Sequence, residues 1–559
     1  RCSRDWSSDV CSSDLPVVTL NLSRLQKLVG KATKNQILDS LPFLGLDIEE
    51  QTQQFIRVEY SPNRPDYATD VGIATGLQGL LGIKKGIFPV LIKKKKDKNY
   101  LIRTDSKVKN VRPFVLSLVA RKGKLDDETI RQLFALQEDL HFGIGRRRKK
   151  ASIGIHDLDS ISLPLSYSTV TQGHKFVPLE KTNEMSISQI LESTDVGKNY
   201  SFVLGETQNF PIIMDSKKNT VSFPPIINSE LTKVTTSTTN LLVEVTGNDH
   251  TAVSDSLSVV ASALHGYGFT LYDMNTNSQS TSSYQKPRII ALDASLVNQI
   301  LGLQLSPTQI CIMLRKCRLD AILKGKKIYC KIPRYRFDIF GPMDLVEEVA
   351  LGYGIQNLSP TLPSSISVGQ KSKATLKLDQ ISSIMIGLGF TEALNSSLTS
   401  RQILYENAKR DSTKLIEVSE SKSLEHTILR DSILPGLLEN LSKNIHETYP
   451  QKLFETGIVF SNKDQIIESI CIACVSAHKD SGYTEIKSVL QSLLKTDSNL
   501  DCKTVTAQNP MFEQGKTADV LLNNKKIGIV GQISSQVIEN FKIRVPVSGF
   551  ELILSDLIL

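Results

Sequence analysis

The chain has 559 residues, 40% of them hydrophobic and 22% charged, the composition of an ordinary globular protein of about four domains. No apolar run approaches the ~20 residues that a spanning helix needs, so no membrane role is expected. The net charge of +8 is modest for this length, but basic residues gather in two blocks, Lys93 to Lys96 and Arg146 to Lys150, which suit phosphate backbones or solvated loops equally.

Residues 1–15 hold a near-repeat of Cys-Ser-x-Asp and the only tryptophan, Trp6, show no hydrophobic period, and read as a non-native, adapter-derived segment. With them set aside a strand opens at Val17, no signal or transit peptide is expected, and the expected compartment is the cytoplasm. Residues 16–95 predict a compact module with helices over 23–29 and 34–41, a hairpin over 45–58, a turn at Asn63-Arg64-Pro65-Asp66 and a helix over 69–81. Residues 100–284 alternate strands such as Phe114 to Ala120 with helices such as 126–140 and 253–264, an α+β pattern.

Residues 288–362 repeat the order of the first module, with helices over 294–301 and 307–316, a hairpin turning at Lys324-Gly325-Lys326 and an acidic helix. Two helices followed by a hairpin make a winged-helix-like layout. After a linker rich in Ser and Pro, residues 366–559 combine helices at 375–388 and 433–445 with strands at 452–460, 469–475, 517–522, 526–533 and 546–554. That pattern predicts an antiparallel sheet with flanking helices, and the expected fold class is multidomain α+β. Cys471 and Cys474 lack the second pair or the histidines of a zinc site and sit in the apolar run Ser469 to Val475, so a buried strand is expected there.

The repeat is visible residue by residue. Ile328 to Ile355 aligns without a gap on Ile56 to Ile83, matching Arg336 to Arg64, Asp338 to Asp66 and Gly354-Ile355 to Gly82-Ile83. The copies differ in their acids: Asp344, Glu347 and Glu348 in the second stand where the first has Gly72, Thr75 and Gly76. Together with Asp338 these oxygens suit Mg²⁺, a hard cation that prefers carboxylate and water. Asp-x-x-Glu at a helix start is also a capping pattern, and on spacing alone the cap is the favoured reading.

Seven ordered segments carry a resemblance: Ser61 to Asp66, Ile153 to Asp159, Ser222 to Asn228, Val245 to Asp249, Asp338 to Gly354, Leu429 to Leu437 and Leu453 to Gly457. They resemble the β subunits of phenylalanine–tRNA ligases in their archaeal and eukaryotic form, over nearly everything after Pro16. The resemblance implies an α2β2 enzyme that joins phenylalanine to tRNA(Phe), with ATP used at a site in the separate α subunit. It implies an editing domain of B3/B4 type in 100–284 that hydrolyses Tyr-tRNA(Phe), a B5-like module in 288–362, and a catalytically degenerate class II synthetase-like core in 366–559. It assigns Mg²⁺, shared with the α subunit, to Asp338, Asp344, Glu347 and Glu348, which reverses the preference for a plain cap.

No catalytic residue for synthesis is expected here, because the last Gly-rich strand, Ser548 to Leu554, lacks the arginine that holds ATP in a class II site. Arg430 and Glu455 are then expected to be packing or interface residues. The editing pocket is expected from Ser222, Asn228, Glu244 and Thr246. Glu244 is an acid inside an apolar strand, alternation puts Leu242, Glu244 and Thr246 on one face, and a buried acceptor is what reading a tyrosine hydroxyl requires. Many relatives carry Asp at this position; Glu keeps the acceptor and moves it by one methylene. His156 is expected to be structural, since no Ser or Cys nucleophile motif accompanies it, and a water positioned by the tRNA's own terminal hydroxyls would hydrolyse the ester. The alternative is a purely structural tRNA-binding subunit without editing; a stand-alone hydrolase would have no use for the 366–559 domain.

Overall fold

Both copies of the repeat fold as a strand, two helices and a hairpin, and in both the first strand pairs with the last. In the first copy Val17–Asn21 lies antiparallel to Phe55–Glu59, which pairs in turn with Asp47–Gln51. In the second, Arg288–Asp293 pairs with Lys327–Ile332 and that strand with Asp320–Lys324, the same order of strands. In each copy the leading strand closes a three-stranded sheet with the hairpin. Local chemistry repeats as well: Thr33 with Gln36, and Ser306 with Gln309, form capping boxes that satisfy free N–H groups at the start of each second helix. Each Arg-x-Asp folds into one clamp, with Arg64 donating to Asp66 at 2.9 and 2.8 Å and Arg336 to Asp338 at 2.9 and 2.7 Å.

The computed structural model describes residues 15–555, except 95, 96, 98, 206, 277–285, 363–367, 420, 422, 464 and 499. The adapter-like segment up to Asp14, half of the Lys93 to Lys96 block and most of the Ser/Pro linker lie outside the described residues. The chain forms two compact units, residues 1–361 and 362–559.

Within the first unit, strands between residues 92 and 276 build two sheets. The five-stranded one runs in the order Ile92–Lys93, Thr270–Asp273, Phe114–Arg121, Leu241–Gly247, Ala151–Asp157. The six-stranded one runs Ile227–Asn228, Thr220–Phe223, Phe210–Met214, Leu165–Val170, Leu101–Thr104, Asn275–Thr276. Leu241–Gly247 is buried throughout. Leu241, Val243 and Val245 face the core made with the helices Asp127–Phe142 and His250–Gly266 and with the first repeat copy, whereas Leu242 packs with Tyr167, Ile213 and Val221 of the second sheet. A strand covered on both faces is normally an unbroken apolar run, so an acid on it needs a reason to be there.

The second unit is a seven-stranded sheet in the order Thr391–Glu392, Gln451–Lys463, Gln465–Ala477, Val547–Ile553, Lys525–Ile533, Phe512–Leu522, Lys503–Thr506. All pairs are antiparallel except the first, a departure from the purely antiparallel sheet that the strand pattern predicts. Leu434–Lys443 covers one face and Lys373–Gly387 with Tyr483–Ser498 the other. Cys471 and Cys474, three apart on one strand, are buried on opposite faces and are both free thiols, as their apolar surroundings imply. Among the described residues no helix is long and apolar enough to cross a membrane.

Candidate functional site

Glu244 sits at the middle of Leu241–Gly247 with 2% of its surface exposed. Its register neighbours are Ser117 on one side and Gly154 on the other. Gly154 leaves the space in which the carboxylate turns: a Cβ there would lie 2.5 Å from Glu244 Oε1 and 2.6 Å from His156 Nε2. From the second sheet Ser222 Oγ donates to Glu244 Oε1 at 3.0 Å, while Glu244 Oε2 is buried with no hydrogen-bond partner among the described residues. A carboxylate oxygen in that state is costly unless something else fills it, because burial removes its water. The residue lines a cavity of about 500 Å³, whose wall also includes Phe134, Ile155, Phe223, Pro224, Asn228 and Thr232.

The four expected pocket residues take three different positions. Glu244 and Asn228 line the cavity, with Asn228 Nδ2 held on Ile155 O at 3.5 Å. Ser222 does not line it but fixes the carboxylate. Thr246 lies on the same strand face, wholly buried, and its hydroxyl accepts from Arg112 Nε at 2.9 Å. Arg112 was not foreseen. Its guanidinium is buried without a carboxylate in contact among the described residues, held by Thr246 O, Ser152 Oγ and Arg148 O, and burial lowers its pKa to about 10 against the opposing pull of Tyr167 and Glu244. His156 is buried as expected, with Nδ1 at 2.9 Å from Thr232 Oγ1, but its Nε2 also comes within 3.9 Å of Glu244 Oε1.

A second polar group faces the same cavity at the end of the helix Asp127–Phe142. Ile153 N–H donates to His141 Nε2 at 2.9 Å, so the ring proton sits on Nδ1 and points at Glu138 Oε1, 3.1 Å away. Burial holds the imidazole pKa below its usual value. Burial would raise the Glu138 carboxyl, but the His141 hydrogen bond and the Arg148 charge outweigh it and hold it at about 2. Arg148 spans Glu138, the carbonyls of Pro225 and Ile226 and the ring of Tyr200.

The four acids of the second repeat copy do not converge. Asp344 Oδ2 accepts the N–H groups of Phe340 and Gly341 at 2.7 and 2.8 Å, capping the helix Pro342–Tyr353. Asp338 and Glu348 close on Arg336 from two sides, with Glu348 Oε1 at 2.5 Å from Nη2, and Glu347 is exposed. Among the described residues no group of three His, Cys, Asp or Glu is placed to hold a metal. Taken by themselves, without the α subunit expected to share the ion, the described residues form no Mg²⁺ site. The spacing reading, a cap, describes Asp344, and the buried arginine between them supplies the counter-charge for two of the other three.

In the second unit Arg430 Nη1 meets Glu455 Oε1 at 2.5 Å, and Asn395 Nδ2 donates to Glu455 Oε2 at 2.7 Å. Both are buried and satisfied, as packing residues should be. On the last strand Glu551 takes the Ser432 hydroxyl at 2.5 Å and the Ile433 N–H at 2.8 Å, and burial pushes its pKa up. The strand that would need a cation for a nucleotide thus presents an acid.

Family models match along the described domains: a B3/4 domain over residues 96–262, a tRNA synthetase B5 domain over 290–355, and a phenylalanyl tRNA synthetase beta chain CLM domain over 358–554. The chain is 37% identical over 548 residues to the phenylalanine–tRNA ligase beta subunit of Archaeoglobus fulgidus, covering 97% of this chain and 98% of that one. The corresponding subunit of Methanosarcina barkeri is also 37% identical, over 550 residues that cover 97% and 99% of the two chains. An N-terminal fragment of the phenylalanyl-tRNA synthetase beta subunit from Pyrococcus horikoshii superposes with a TM-score of 0.57 at 28% identity, over 60% of this chain and 99% of the fragment. With relatives this similar over nearly its whole length, the chain belongs to the phenylalanine–tRNA ligase beta subunits, and through them to the aminoacyl-tRNA ligases.

Proposed function

We propose that this chain assembles with an α subunit into a cytoplasmic α2β2 ligase, leaves ATP-dependent charging of tRNA(Phe) to the α subunit, and itself hydrolyses Tyr-tRNA(Phe). The observation that carries the editing part is Glu244 Oε2, a buried carboxylate oxygen without a partner among the described residues, in the wall of a cavity of about 500 Å³. A phenol hydroxyl donates to such an oxygen; a phenyl ring leaves it bare. Sites built to bond a hydroxyl reject the analogue lacking it by about 10⁴ to 10⁵, whereas a synthetic pocket that must exclude an added hydroxyl reaches only about 10². The selectivity that charging lacks is thus available here.

The cleavage needs one water, which adds to the ester carbonyl; the carbon–oxygen bond to the ribose breaks, giving tyrosine and a free tRNA hydroxyl. Among the described lining residues there is no cysteine, and the serine, Ser152, is engaged with Arg112 and Thr246. A water held by the terminal ribose hydroxyls serves instead, with Glu244 and Ser222 selecting the side chain. No step is assigned to Mg²⁺. Deacylation of Tyr-tRNA(Phe) by the chain co-expressed with its α subunit, against the α subunit alone, tests the proposal. Hydrolysis that requires this chain is expected. A complex that charges phenylalanine and hydrolyses nothing would leave the chain as scaffold and tRNA-binding subunit.

A further inference from the structure

The loop that leaves the helix Asp127–Phe142 is the basic block Arg146 to Lys150, and its backbone is unusual. Arg146, Arg147 and Arg148 have φ of 49°, 53° and 64°, three successive left-handed residues with none a glycine. L-residues avoid this region, and runs of it persist only where the surroundings enforce them, which happens preferentially at functional sites. Here the enforcement is visible. Gly145 N–H returns to Leu140 O at 2.8 Å, Arg148 N–H to His141 O at 3.1 Å and Lys150 N–H to Gly145 O at 2.8 Å. Gly145 itself is packed so closely that a Cβ would lie 2.5 Å from Ala151 O.

Arg148 turns inward to line the cavity, where it bonds Glu138 and two carbonyls. Arg146, Arg147 and Lys149 point to solvent. Along the same helix Phe134 forms part of the cavity wall while 42% exposed, about two turns from His141. Exposed cations on either side of a residue that lines a cavity, with a partly exposed aromatic ring in its wall, suit single-stranded nucleic acid: cations follow the phosphates and aromatic rings take a base.

Resting on the editing reading above, we infer that Arg146, Arg147 and Lys149 grip the phosphates of the single-stranded 3′ end of the tRNA, and that Phe134 stacks on one of its bases, so that the aminoacyl ester enters the Glu244 cavity. The bonded left-handed loop fixes the backbone from which the three cations project.

The test uses the full chain with its α subunit and compares wild type with an Arg146→Gln, Arg147→Gln, Lys149→Gln triple variant and, separately, Phe134→Ala. The probes are Tyr-tRNA(Phe), uncharged tRNA(Phe), and tRNA(Phe) shortened by its 3′ single strand. For the triple variant the expected result is a roughly tenfold rise in KM for Tyr-tRNA(Phe) hydrolysis. The slope of log affinity against log salt should fall by about 2, since each single-strand phosphate contact contributes about 0.7. Wild type and variants should bind the shortened RNA equally. An unchanged KM and slope would overturn the inference, as would a loss of affinity that persists with the shortened RNA. If wild type hydrolyses nothing, the editing reading fails by itself, and the affinity for uncharged tRNA(Phe) still decides: a loss in the variants upholds the grip, and no loss removes it.

Discussion

Glu244 and Glu455 are both glutamates in the interior of a sheet, 2% and 0% exposed. Glu455 has both oxygens filled, by Arg430 and Asn395, and Gly457 is kept free of a side chain so that the guanidinium fits: a Cβ there would lie 2.2 Å from Arg430 Nη2. Glu244 has one oxygen filled by Ser222 and the other left bare in a cavity wall, with Gly154 keeping the space. The same residue type, equally buried and equally attended by a glycine, closes one site and opens the other. Burial of a charge alone does not mark a functional site; the editing proposal rests on an acceptor without a donor in the wall of a cavity.

The largest expected effect breaks the closed member of the pair. Glu455→Ala leaves Arg430 buried without its carboxylate and is expected to destabilise the second unit by about 3–5 kcal/mol, read by urea unfolding. A change under about 1 kcal/mol would mean that the pair does not hold the sheet. At the open site Gly154→Ala forces a methyl against Glu244 and His156; overpacking of this kind costs about 1–3 kcal/mol, and Tyr-tRNA(Phe) hydrolysis should fall with it. Intact stability and intact hydrolysis together would show that the carboxylate does not need the space.

Smaller effects separate the cavity's two polar groups. Glu138 has a folded pKa of about 2 against an ordinary 4.5, so the stability it contributes is present above about pH 4.5 and is lost as pH falls toward 2. Glu138→Gln should therefore flatten the acid limb of a stability–pH profile between about pH 5 and 2; parallel limbs in wild type and variant would contradict that sign. At the smallest end, a millimolar Mg²⁺ titration of the free chain should leave its unfolding midpoint unmoved. A rise abolished by Glu347→Ala would show that the acids around Arg336 rearrange to take the ion.

Much of this was legible in the sequence where the signal is local or periodic. The ungapped match of Ile328 to Ile355 on Ile56 to Ile83 anticipated two modules with one order of elements, though not the Arg-x-Asp clamp that each of them forms. Glu244 stood out as an acid on an apolar strand. Contacts between residues distant in the chain were not legible: Arg112 reaches Thr246 across 134 positions, and nothing around Gly154 announces that a glutamate 90 residues on needs its missing side chain. The four acids were visible, but not that Arg336, two residues before Asp338, takes the charge of two of them. The helix Tyr483–Ser498 goes beyond the two helices that the pattern of 366–559 predicts, although Ile486, Leu490, Leu493 and Leu494 carry helical spacing.

The central claim is that the bare oxygen of Glu244 reads a hydroxyl. Its most direct test is the rate of Tyr-tRNA(Phe) deacylation by Glu244→Gln, assembled with the α subunit, against wild type. The substitution keeps the shape of the side chain and removes the charge, and hydrogen bonds to charged groups contribute about 1.5–3 kcal/mol. The account predicts a fall of roughly ten- to a hundredfold, with the unfolding midpoint close to that of wild type. An equal rate would contradict it, and would place the recognition of the hydroxyl elsewhere in the cavity.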